Sequence, residues 1–476
     1  MTSLVYRMLV AIFPVLGLIT PSTVWSLPAD SLRISSITLN GNKITYPRII
    51  TRELTFKAGD TLAVKDLEMQ ILRSRDNVFN TGLFNHVTID QHKISDTSRQ
   101  VAILVNVVER WYIWPIPYVE FPNKNMNAWF ETTDFSRLTY GLNINFHNLR
   151  GRNETLTAIL HFGYNQSYGL TYKTPYLDKK QTWGFGFGGD AGLSKQVQVY
   201  TSNDKPVYLE TPGDLLQQRY SGFTEVFIRN GIHLYQNFRV AYDHYFFADT
   251  LGTVPGYLPD EGNPDEPVLE LGFLSLHYKL KYDRRDVRYY PLKGWYGDLE
   301  FAKQGFGNGP VNTYAVKSSL RAYFRLAERW HFSAGFTGML SFPEEQFFFM
   351  ARGLGFGRDF VRGYERYLII GQHFTTLKSN IKFSVLPRKV YTLDFIRTPK
   401  FAVVPFGIYA NLFADYGYVY SSDIVRTQDN PLVNASLFGY GAGIDFVTYY
   451  DVVISLNFAM NMKGEPGLFL HFIAPI

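Results

Sequence analysis

LTYGLNINF, residues 138–146, is the stretch that decides the fold. Large apolar side chains stand at every second position, namely Leu138, Tyr140, Leu142, Ile144 and Phe146. A period of two places them all on one face of an extended strand. The same alternation recurs at 156–163, 221–228, 271–280, 315–324, 331–339, 408–413 and 451–459. The sequence after residue 110 therefore predicts β-structure with one apolar and one polar face.

A soluble β-sandwich would show the same alternation, and composition separates it from a membrane barrel. The 33 Tyr and 39 Phe bring aromatic residues to 17%, and cysteine is absent. Membrane barrels carry aromatic girdles at both bilayer interfaces, and their strands alternate apolar towards lipid with polar towards the lumen. Residues 111–476 leave about 23 residues for each strand and its connection in a sixteen-stranded barrel. We therefore predict an outer-membrane barrel, with sixteen strands favoured and fourteen or eighteen also fitting the length.

The connections between these strands are predicted to differ at the two ends of the barrel. Pro, Gly and acidic residues interrupt any strand pattern over 248–268, and 194–217 is similar. Turn candidates such as Leu149-Arg150-Gly151 predict short connections elsewhere. Long external loops on one side and tight turns on the other follow from this difference.

The N-terminus carries a predicted secretory signal peptide over residues 1–26. Arg7 precedes an uncharged apolar run from Met8 to Ile19, and Val24-Trp25-Ser26 follows near the cleavage position. The run is shorter than the roughly 20 apolar residues that a helix needs to cross a bilayer. Polar residues interrupt every later apolar run before that length. We expect a protein exported to the envelope of a Gram-negative bacterium without a helical anchor.

The charge balance and the motifs argue against nucleic acid and against catalysis. Lys and Arg number 47 against 42 Asp and Glu, and the net charge of +5 includes no long basic run. The ten His show no HExxH spacing, and no GxSxG is present. The glycine-rich stretch 184–189 alternates as a strand, with no helix after it to bind a phosphate. The prediction is no enzymatic activity, no cofactor and no metal.

Residues 32–110 follow a different pattern, which predicts a small α+β domain. Apolar positions alternate over 32–39, fall at helical spacing over 64–80, and alternate again over 87–90 and 101–109. A short helix with Pro47 in its first turn completes the order strand, helix, helix, strand, strand. The predicted domains are a signal peptide over 1–26, an α+β domain over 27–110 and a barrel over 111–476.

One segment carries more charge than a strand or a turn requires. GFGRDFVRGYERY, residues 355–367, holds five charged side chains among aromatic residues and glycines, namely Arg358, Asp359, Arg362, Glu365 and Arg366. A solvated loop would account for such a run in most proteins. Other motifs in the chain favour a functional interpretation.

Together these motifs resemble those of the BamA/TamA superfamily of outer-membrane assembly and translocation proteins. That family joins periplasmic POTRA domains to a sixteen-stranded barrel. NTGLF at 80–84 resembles a POTRA pattern, and the family's DtRD…P..G barrel signature is matched by Asp283, Arg285, Asp286 and Gly294. Phe413, Asp415 and Gly417 resemble the family's late F.D.G strand. The VRG(F/Y) hallmark is matched by Val361, Arg362, Gly363 and Tyr364.

The resemblance implies that the VRG(F/Y) segment lies in a long loop folded into the barrel lumen. Arg362 would pair with Asp415 on the inner wall, because a partly desolvated guanidinium needs a charged or strongly hydrogen-bonded partner. Gly363 would permit a tight turn and Tyr364 would supply a packing face. Relatives often offer a second acidic partner from the next strand, but SNIKF at 379–383 contains no carboxylate. Arg362 would then depend on Asp415 alone, or the loop would be held differently.

The resemblance also implies that client proteins insert or cross at a weak seam between the first and last strands, with the POTRA domain receiving them. The seam would join 111–118 to 467–472. Pro115 and Pro117 withdraw two backbone donors from the first strand, although a linker entering the strand explains Pro115 equally well. The last aromatic residue, Phe472, could close the final strand with a short overhang. Clients and outer-membrane lipid are the expected partners.

The single POTRA domain narrows this implied function. General assembly factors carry several such domains, and two-partner secretion transporters typically carry two behind a plug helix. One domain favours a dedicated insertase or translocator with few clients. The alternative is a static barrel with a structural or envelope-lipid role and no client.

Overall fold

The computed structural model describes residues 30–95, 99–120, 135–211, 213–259, 267–307, 309–344, 346–422, 429–448 and 450–472. The predicted signal peptide over 1–26 lies outside these ranges. Within them, no helix has the length and apolar character needed to cross a membrane.

The first part of the chain folds as a four-stranded sheet with two helices. In chain order its elements are β1 (Ser31–Asn40), α1 (Pro47–Thr51), β2 (Thr61–Ala63), α2 (Val64–Phe79), β3 (Phe84–Lys93) and β4 (Gln100–Glu109). The sheet order is β2-β1-β4-β3, and β1 runs parallel to β4. Alternate strand residues such as Ile34 and Val105 share one buried core with Leu67 and Val78 of α2. The predicted α+β fold is confirmed, and only the three-residue β2 was missed.

Sixteen antiparallel strands follow and form one sheet, which confirms the predicted barrel fold. They are β5 (Ile113–Glu120), β6 (Thr139–Leu149), β7 (Glu154–Gly163), β8 (Gln166–Thr174), β9 (Trp183–Ser194), β12 (Gln217–Asn230), β13 (Leu234–Phe247), β14 (Glu270–Asp283), β15 (Gly294–Gln304), β16 (Thr313–Arg325), β17 (Trp330–Phe342), β20 (His373–Thr392), β21 (Val403–Tyr420), β22 (Ser436–Val447), β23 (Val453–Asn461) and β24 (Pro466–His471). The glycine-rich stretch 184–189 lies in β9, as predicted.

The sheet is curved so that its first strand, β5, contacts the turn between β22 and β23. The Trp114 ring of β5 packs edge-on against Tyr450, between β22 and β23, with 4.5 Å between centroids. Outward side chains are apolar, and Leu412 is 61% exposed. Inward ones are polar and buried, among them Lys382, Asp445 and Asn457. In a soluble protein the apolar side chains would be buried and the polar ones exposed. The reverse arrangement is typical of a membrane barrel, whose apolar face contacts lipid.

The small domain is docked against the connections at one end of the barrel, which we call the domain end. Both Arg229 guanidinium nitrogens donate to the Glu53 carboxylate, at 2.5 and 2.7 Å. Asn80 Nδ2 donates to the backbone oxygen of Asp286 at 2.9 Å. Arg229 belongs to β12 and Asp286 to the β14–β15 turn. The small domain therefore lies across the opening and is held by these contacts as well as by its linker.

The opposite, distal end carries the longer loops, and one of them corrects a prediction. The segment 194–217, interpreted as an irregular loop, contains a β-hairpin of β10 (Gln196–Ser202) and β11 (Lys205–Glu210). Asn203 and Asp204 form its two-residue turn at φ values of 50° and 57°. Both residues tolerate positive φ, which matches the twist of a hairpin. In 248–268, the helix α3 (Asp249–Gly252) is the regular element outside 260–266, which are not described.

The tip of this hairpin is buried against other distal loops. Asp204 accepts a bond on Oδ2 from the Leu432 amide at 2.9 Å, and its backbone oxygen accepts one from the Leu368 amide at 2.8 Å. Its Oδ1 is buried without a hydrogen-bond partner. Burial raises the pKa of the Asp204 carboxyl to about 6, against the opposing effects of the Leu432 amide and Lys463.

Candidate functional site in the barrel lumen

The charged segment forms the tip of a long connection between β17 and β20. Two short strands, β18 (Arg352–Leu354) and β19 (Ile369–Gly371), pair and bring the ends of the tip together. Residues 355–368, which we call the lumen loop, lie between them. Arg362 of this loop is 1% exposed and Asp415 of β21 is 0% exposed, so the loop reaches the inner wall.

Arg362 and Asp415 form a bidentate ion pair. Arg362 Nε donates to Oδ2 of Asp415 at 2.7 Å, and Nη2 donates to Oδ1 at 2.5 Å. The Arg362 amide adds a bond to Oδ2 at 3.2 Å. The guanidinium lies 3.9 Å from the centroid of the Phe413 ring. Two parallel bonds and a ring face fix the orientation of the guanidinium as well as its position.

Neutral acceptors occupy the place where a second carboxylate was sought. Arg362 Nη1 donates to Asn380 Oδ1 at 2.6 Å, and Nη2 also donates to the backbone oxygen of Ser379 at 3.2 Å. Glu365 is turned away from Arg362 and accepts a bond from the Gly363 amide at 2.7 Å. The guanidinium therefore has partners on three sides while the pair keeps no net charge.

Two wall glycines make room for the loop, and sequence reasoning named only one of them. A Cβ on Gly417 would lie 2.4 Å from Val361 Cγ2, and one on Gly439 would lie 1.8 Å from the Arg362 backbone oxygen. Gly363 itself has a φ of 94°, which favours glycine. The signal for Gly439 was the run of alternate glycines in FGYGAG at 438–443.

The loop also contacts the last two barrel strands. Asn461 Nδ2, at the end of β23, donates to the Gly363 backbone oxygen at 3.2 Å. The Tyr364 hydroxyl accepts a bond from the Met462 amide at 3.3 Å. The Phe360 ring stacks on the His471 ring of β24 with 5.3 Å between centroids. Tyr364 therefore makes a polar contact in addition to the packing face expected of it.

The second motif lies at the domain end, away from the lumen loop. Asp283 accepts bonds from Arg285 Nε at 2.8 Å and from Nη2 at 2.9 Å. Asp286 Oδ1 accepts the amides of Val287 and Leu292, which holds the β14–β15 turn. Gly294 has a φ of 106°, and a Cβ there would lie 2.2 Å from a backbone oxygen. These four motif residues shape the turn on which the small domain rests.

The two edge strands of the sheet, β5 and β24, are not joined by a ladder in the part of the chain that the structure describes. β24 has six residues and ends at His471, and Phe472 after it is 65% exposed. The terminal residues 473–476 are not described. The predicted seam thus lies between two short strands.

The prolines of β5 face this seam. The His147 amide of β6 donates to the Tyr112 oxygen at 2.7 Å, and Ile113 pairs with Phe146. Neighbouring residues of an antiparallel strand direct their backbone groups to opposite sides, so even-numbered residues of β5 bond β6 and odd-numbered residues face away. Pro115 and Pro117 therefore leave the β5–β6 ladder intact and remove two donors from the free edge.

Among the described residues, no group of three or more His, Cys, Asp or Glu is arranged to hold a metal ion. Of the buried lumen charges, Arg362 and Asp415 are paired, whereas Lys382 Nζ makes no hydrogen bond among the described residues and lies 4.4 Å from the centroid of the Tyr290 ring. The arrangement orders a loop and leaves a strand edge unpaired.

The chain is similar to one protein family in its first domain and to several solved structures over most of its length. Residues 32–110 match the POTRA family, described as surface antigen variable number repeat. BamA from Haemophilus ducreyi, in a crystal structure lacking POTRA domains 1–3, has a TM-score of 0.50 and 13% identity, covering 93% of this chain and 83% of that one. CdiB from Escherichia coli has a TM-score of 0.48 at 13% identity, covering 93% and 75%. CdiB from Acinetobacter baumannii has a TM-score of 0.46 at 13% identity, covering 93% and 73%.

No curated protein matches the chain in sequence. At 13% identity the BamA likeness shows the fold alone. That fold is an outer-membrane β-barrel joined to a POTRA domain. The architecture, a POTRA domain followed by a sixteen-stranded barrel, is like that of the BamA structure.

Proposed function

We propose that this protein inserts or translocates client proteins at the seam between β5 and β24, with its POTRA domain receiving the client. The observation that carries the proposal is the unpaired seam of the sixteen-stranded sheet. Unpaired strand edges are templates for a further strand, so a client strand can add there by β-augmentation. The domain end then faces the periplasm and the distal end faces outward.

The residues of the lumen loop have a supporting role in this proposal. Arg362 and Asp415 hold the loop on β21, and Asn461 and His471 connect it to the last two strands. The loop thereby keeps the shape of the C-terminal side of the seam, while the seam-facing edge of β5 stays unpaired among the described residues. We take residues 27–110 and 111–476 as the two functional domains.

A cysteine tether across the seam tests the proposal, and the chain contains no native cysteine to interfere. Val119 of β5 and Leu468 of β24 both point outward, and the variant Val119→Cys/Leu468→Cys can be locked by oxidation. The matched control is Val119→Cys/Tyr140→Cys, which joins two outward residues already paired in the β5–β6 ladder. Each variant replaces the wild-type protein in cells, and the outer-membrane proteome is compared with that of depleted cells.

We expect depleted cells and seam-locked cells to lose the same few outer-membrane or surface proteins. Reduction of the disulfide should restore these proteins in the seam-locked cells, and the control variant should not lose them. An unchanged proteome in both depleted and locked cells would reject client handling. It would favour a static barrel with a structural or lipid-related role. The docking of the POTRA domain across the domain end is the observation that favours this second candidate.

A further inference from the structure

A cleft of about 660 Å³ lies where the POTRA domain meets the periplasmic rim of the barrel. Helix α2 and strand β3 line one side, and the β14–β15 turn, the β16–β17 turn and β20 line the other. The cleft is rich in basic side chains, namely Arg75, Lys293, Arg325, Arg329 and Arg388. Its lining also includes His86 and the acidic residues Asp76, Asp286 and Glu328. Basic groups are thus in excess.

Four of the five basic side chains in this cleft form no ion pair among the described residues, although Arg325 Nε donates to the Ala327 backbone oxygen at 3.3 Å and the Arg388 guanidinium lies 5.1 Å from the centroid of the Phe79 ring. Asp76 is taken by Arg75 at 2.8 Å, and Asp286 accepts backbone amides of its own turn. In the ranges that the structure describes, no ion pair is formed by Lys293, Arg325, Arg329 or Arg388. Burial, followed by the charges of Arg388 and Arg75, lowers the pKa of His86. The cleft is therefore suited to an anion.

Two buried polar atoms of side chains that line the cleft also lack hydrogen-bond partners. Nδ1 of His331 and Oδ1 of Asn85 make no hydrogen bond among the described residues, although both side chains are more than nine-tenths buried. The Arg329 backbone oxygen accepts the Ser384 amide at 2.8 Å, so the β16–β17 turn is fixed to β20. The basic residues of this turn thus stand on a rigid rim with unused polar groups beside them.

The lipid-facing surface continues into the same turn. Phe324, Leu326 and Trp330 are the sequence neighbours of Arg325 and Arg329. All three apolar side chains are exposed, Leu326 to 61%. The Trp330 ring packs on Phe383 of β20 with 4.9 Å between centroids. Aromatic residues of membrane proteins concentrate at the level of the headgroups, and basic side chains there meet the lipid phosphates. Leu326, with Arg325 before it and Glu328 two residues after it, is suited to such an interface.

We propose that this cleft binds the anionic headgroup of a phospholipid from the periplasmic leaflet, with Arg325 and Arg329 on the phosphodiester and the acyl chains along Phe324, Leu326 and Trp330. Charge complementarity and continuity with the lipid-facing surface support a membrane lipid as the occupant. The site would fix the height of the rim in the membrane beside the POTRA domain. It does not depend on whether the protein handles clients.

The test uses the full mature chain in detergent micelles, with bound lipid measured by native mass spectrometry. The probes are dioleoyl phosphatidylglycerol, dioleoyl phosphatidylcholine with the same chains, and inorganic phosphate. The variant is Arg325→Gln/Arg329→Gln; both positions are exposed, Arg325 as the last residue of β16 and Arg329 in the turn after it. The matched control is Lys179→Gln/Lys180→Gln, which removes the same charge from another periplasmic turn with exposed apolar neighbours, Leu177 and Trp183.

We expect one phosphatidylglycerol bound per chain in preference to phosphatidylcholine. The arginine variant should bind it about 25-fold more weakly, because each basic side chain near an anionic surface contributes a factor of about five. The lysine variant should bind like the wild type. Equal losses in the two variants, or equal retention of the two lipids, would overturn the proposal. Displacement of the lipid by inorganic phosphate at equal concentration would show a free-anion site instead.

Discussion

Releasing the lumen loop from the wall is the perturbation that tests the site most directly. Arg362→Ala removes both side-chain bonds to Asp415 and those to Asn380 and Ser379. Asp415, which is 0% exposed, then keeps only the bond from the residue 362 amide. Breaking a buried pair in this way costs about 3–5 kcal/mol. The remaining amide bond places our expectation at the lower end, about 3 kcal/mol.

Hydrogen exchange of the backbone amides at 361–364, in the folded barrel, measures this free energy as local opening. A loss of 3 kcal/mol should accelerate exchange about 150-fold without unfolding the strands. Asp415→Ala should have a similar effect. The double variant should be little worse than either single one, because residues in one interaction do not contribute additively.

Two variants in the same loop serve as controls. Arg358 is exposed and forms no ion pair in the part of the chain that is described, so Arg358→Ala should leave the exchange rates unchanged. Arg362→Lys keeps the charge but loses the planar fork, and we expect an intermediate rate. Additive losses for Arg362→Ala and Asp415→Ala would refute the reasoning, because the two residues would then act through separate contacts.

Four further predictions concern other parts of the molecule. Substituting valine for Pro115 and Pro117 restores two backbone donors to the seam, and each hydrogen bond is worth about 0.5–1.5 kcal/mol. The double variant should raise the yield of the seam disulfide and lower client assembly. An unchanged yield would mean that the prolines do not face the seam. Residues 27–110 alone should be soluble and unfold cooperatively because their core is internal, and an unfolded circular-dichroism spectrum would contradict this. Residues 111–476 should run differently in SDS gels before and after heating, because backbone bonds within the sheet resist the detergent; identical mobility would count against a stable barrel. The raised pKa of Asp204 means that the folded hairpin binds a proton more tightly than the unfolded chain, so docking of the hairpin should weaken as the pH rises through about 4 to 6. The variant Asp204→Asn should remove this pH dependence in a protease-access assay.

The fold was predictable because its signal is local. Alternation with a period of two is visible within nine residues at 138–146, and repetition of that pattern indicates a sheet. The choice of a barrel needed the aromatic content as well, since the pattern alone fits a sandwich. The hairpin within 194–217 was missed for a related reason. The whole segment was interpreted as a loop similar to 248–268, and its Asn203-Asp204 pair was not recognised as a turn that joins two strands.

The partners of Arg362 show where sequence reasoning ends. Asp415 was identified through a motif. The segment 379–383 was examined only for a carboxylate, so the neutral acceptor Asn380 was missed, and Gly439 has no signal that connects it to residue 362. Their proximity depends on strand register, which places Asn380 opposite Phe413 and Gly439 opposite Asp415. Register is set by many side-chain pairs along neighbouring strands and cannot be derived from one of them. Docking of the POTRA domain on the barrel turns was unpredictable for the same reason.

The contacts of the lumen loop are distributed unequally around the barrel, and this inequality bears on how the seam can open. Every hydrogen bond or ion pair that the loop makes with a barrel strand, within the described residues, goes to β16 or a later strand, as with Lys317, Asp415 and Asn461.

The first strand is held differently. Beyond its ladder with β6, β5 is tied near its periplasmic end, where Arg110 forms an ion pair with Asp451 and Trp114 packs on Tyr450. In its outer half, Tyr118 stacks on His161 of β7 with 3.8 Å between ring centroids, on the side away from the seam. No hydrogen bond, ion pair or ring contact joins this half to the last strands among the described residues, and its free edge lacks the two proline donors. The loop therefore fixes β24 to the wall while β5 is anchored at one end. An opening of the seam that keeps these contacts must move the outer half of β5 and leave the edge of β24 in place.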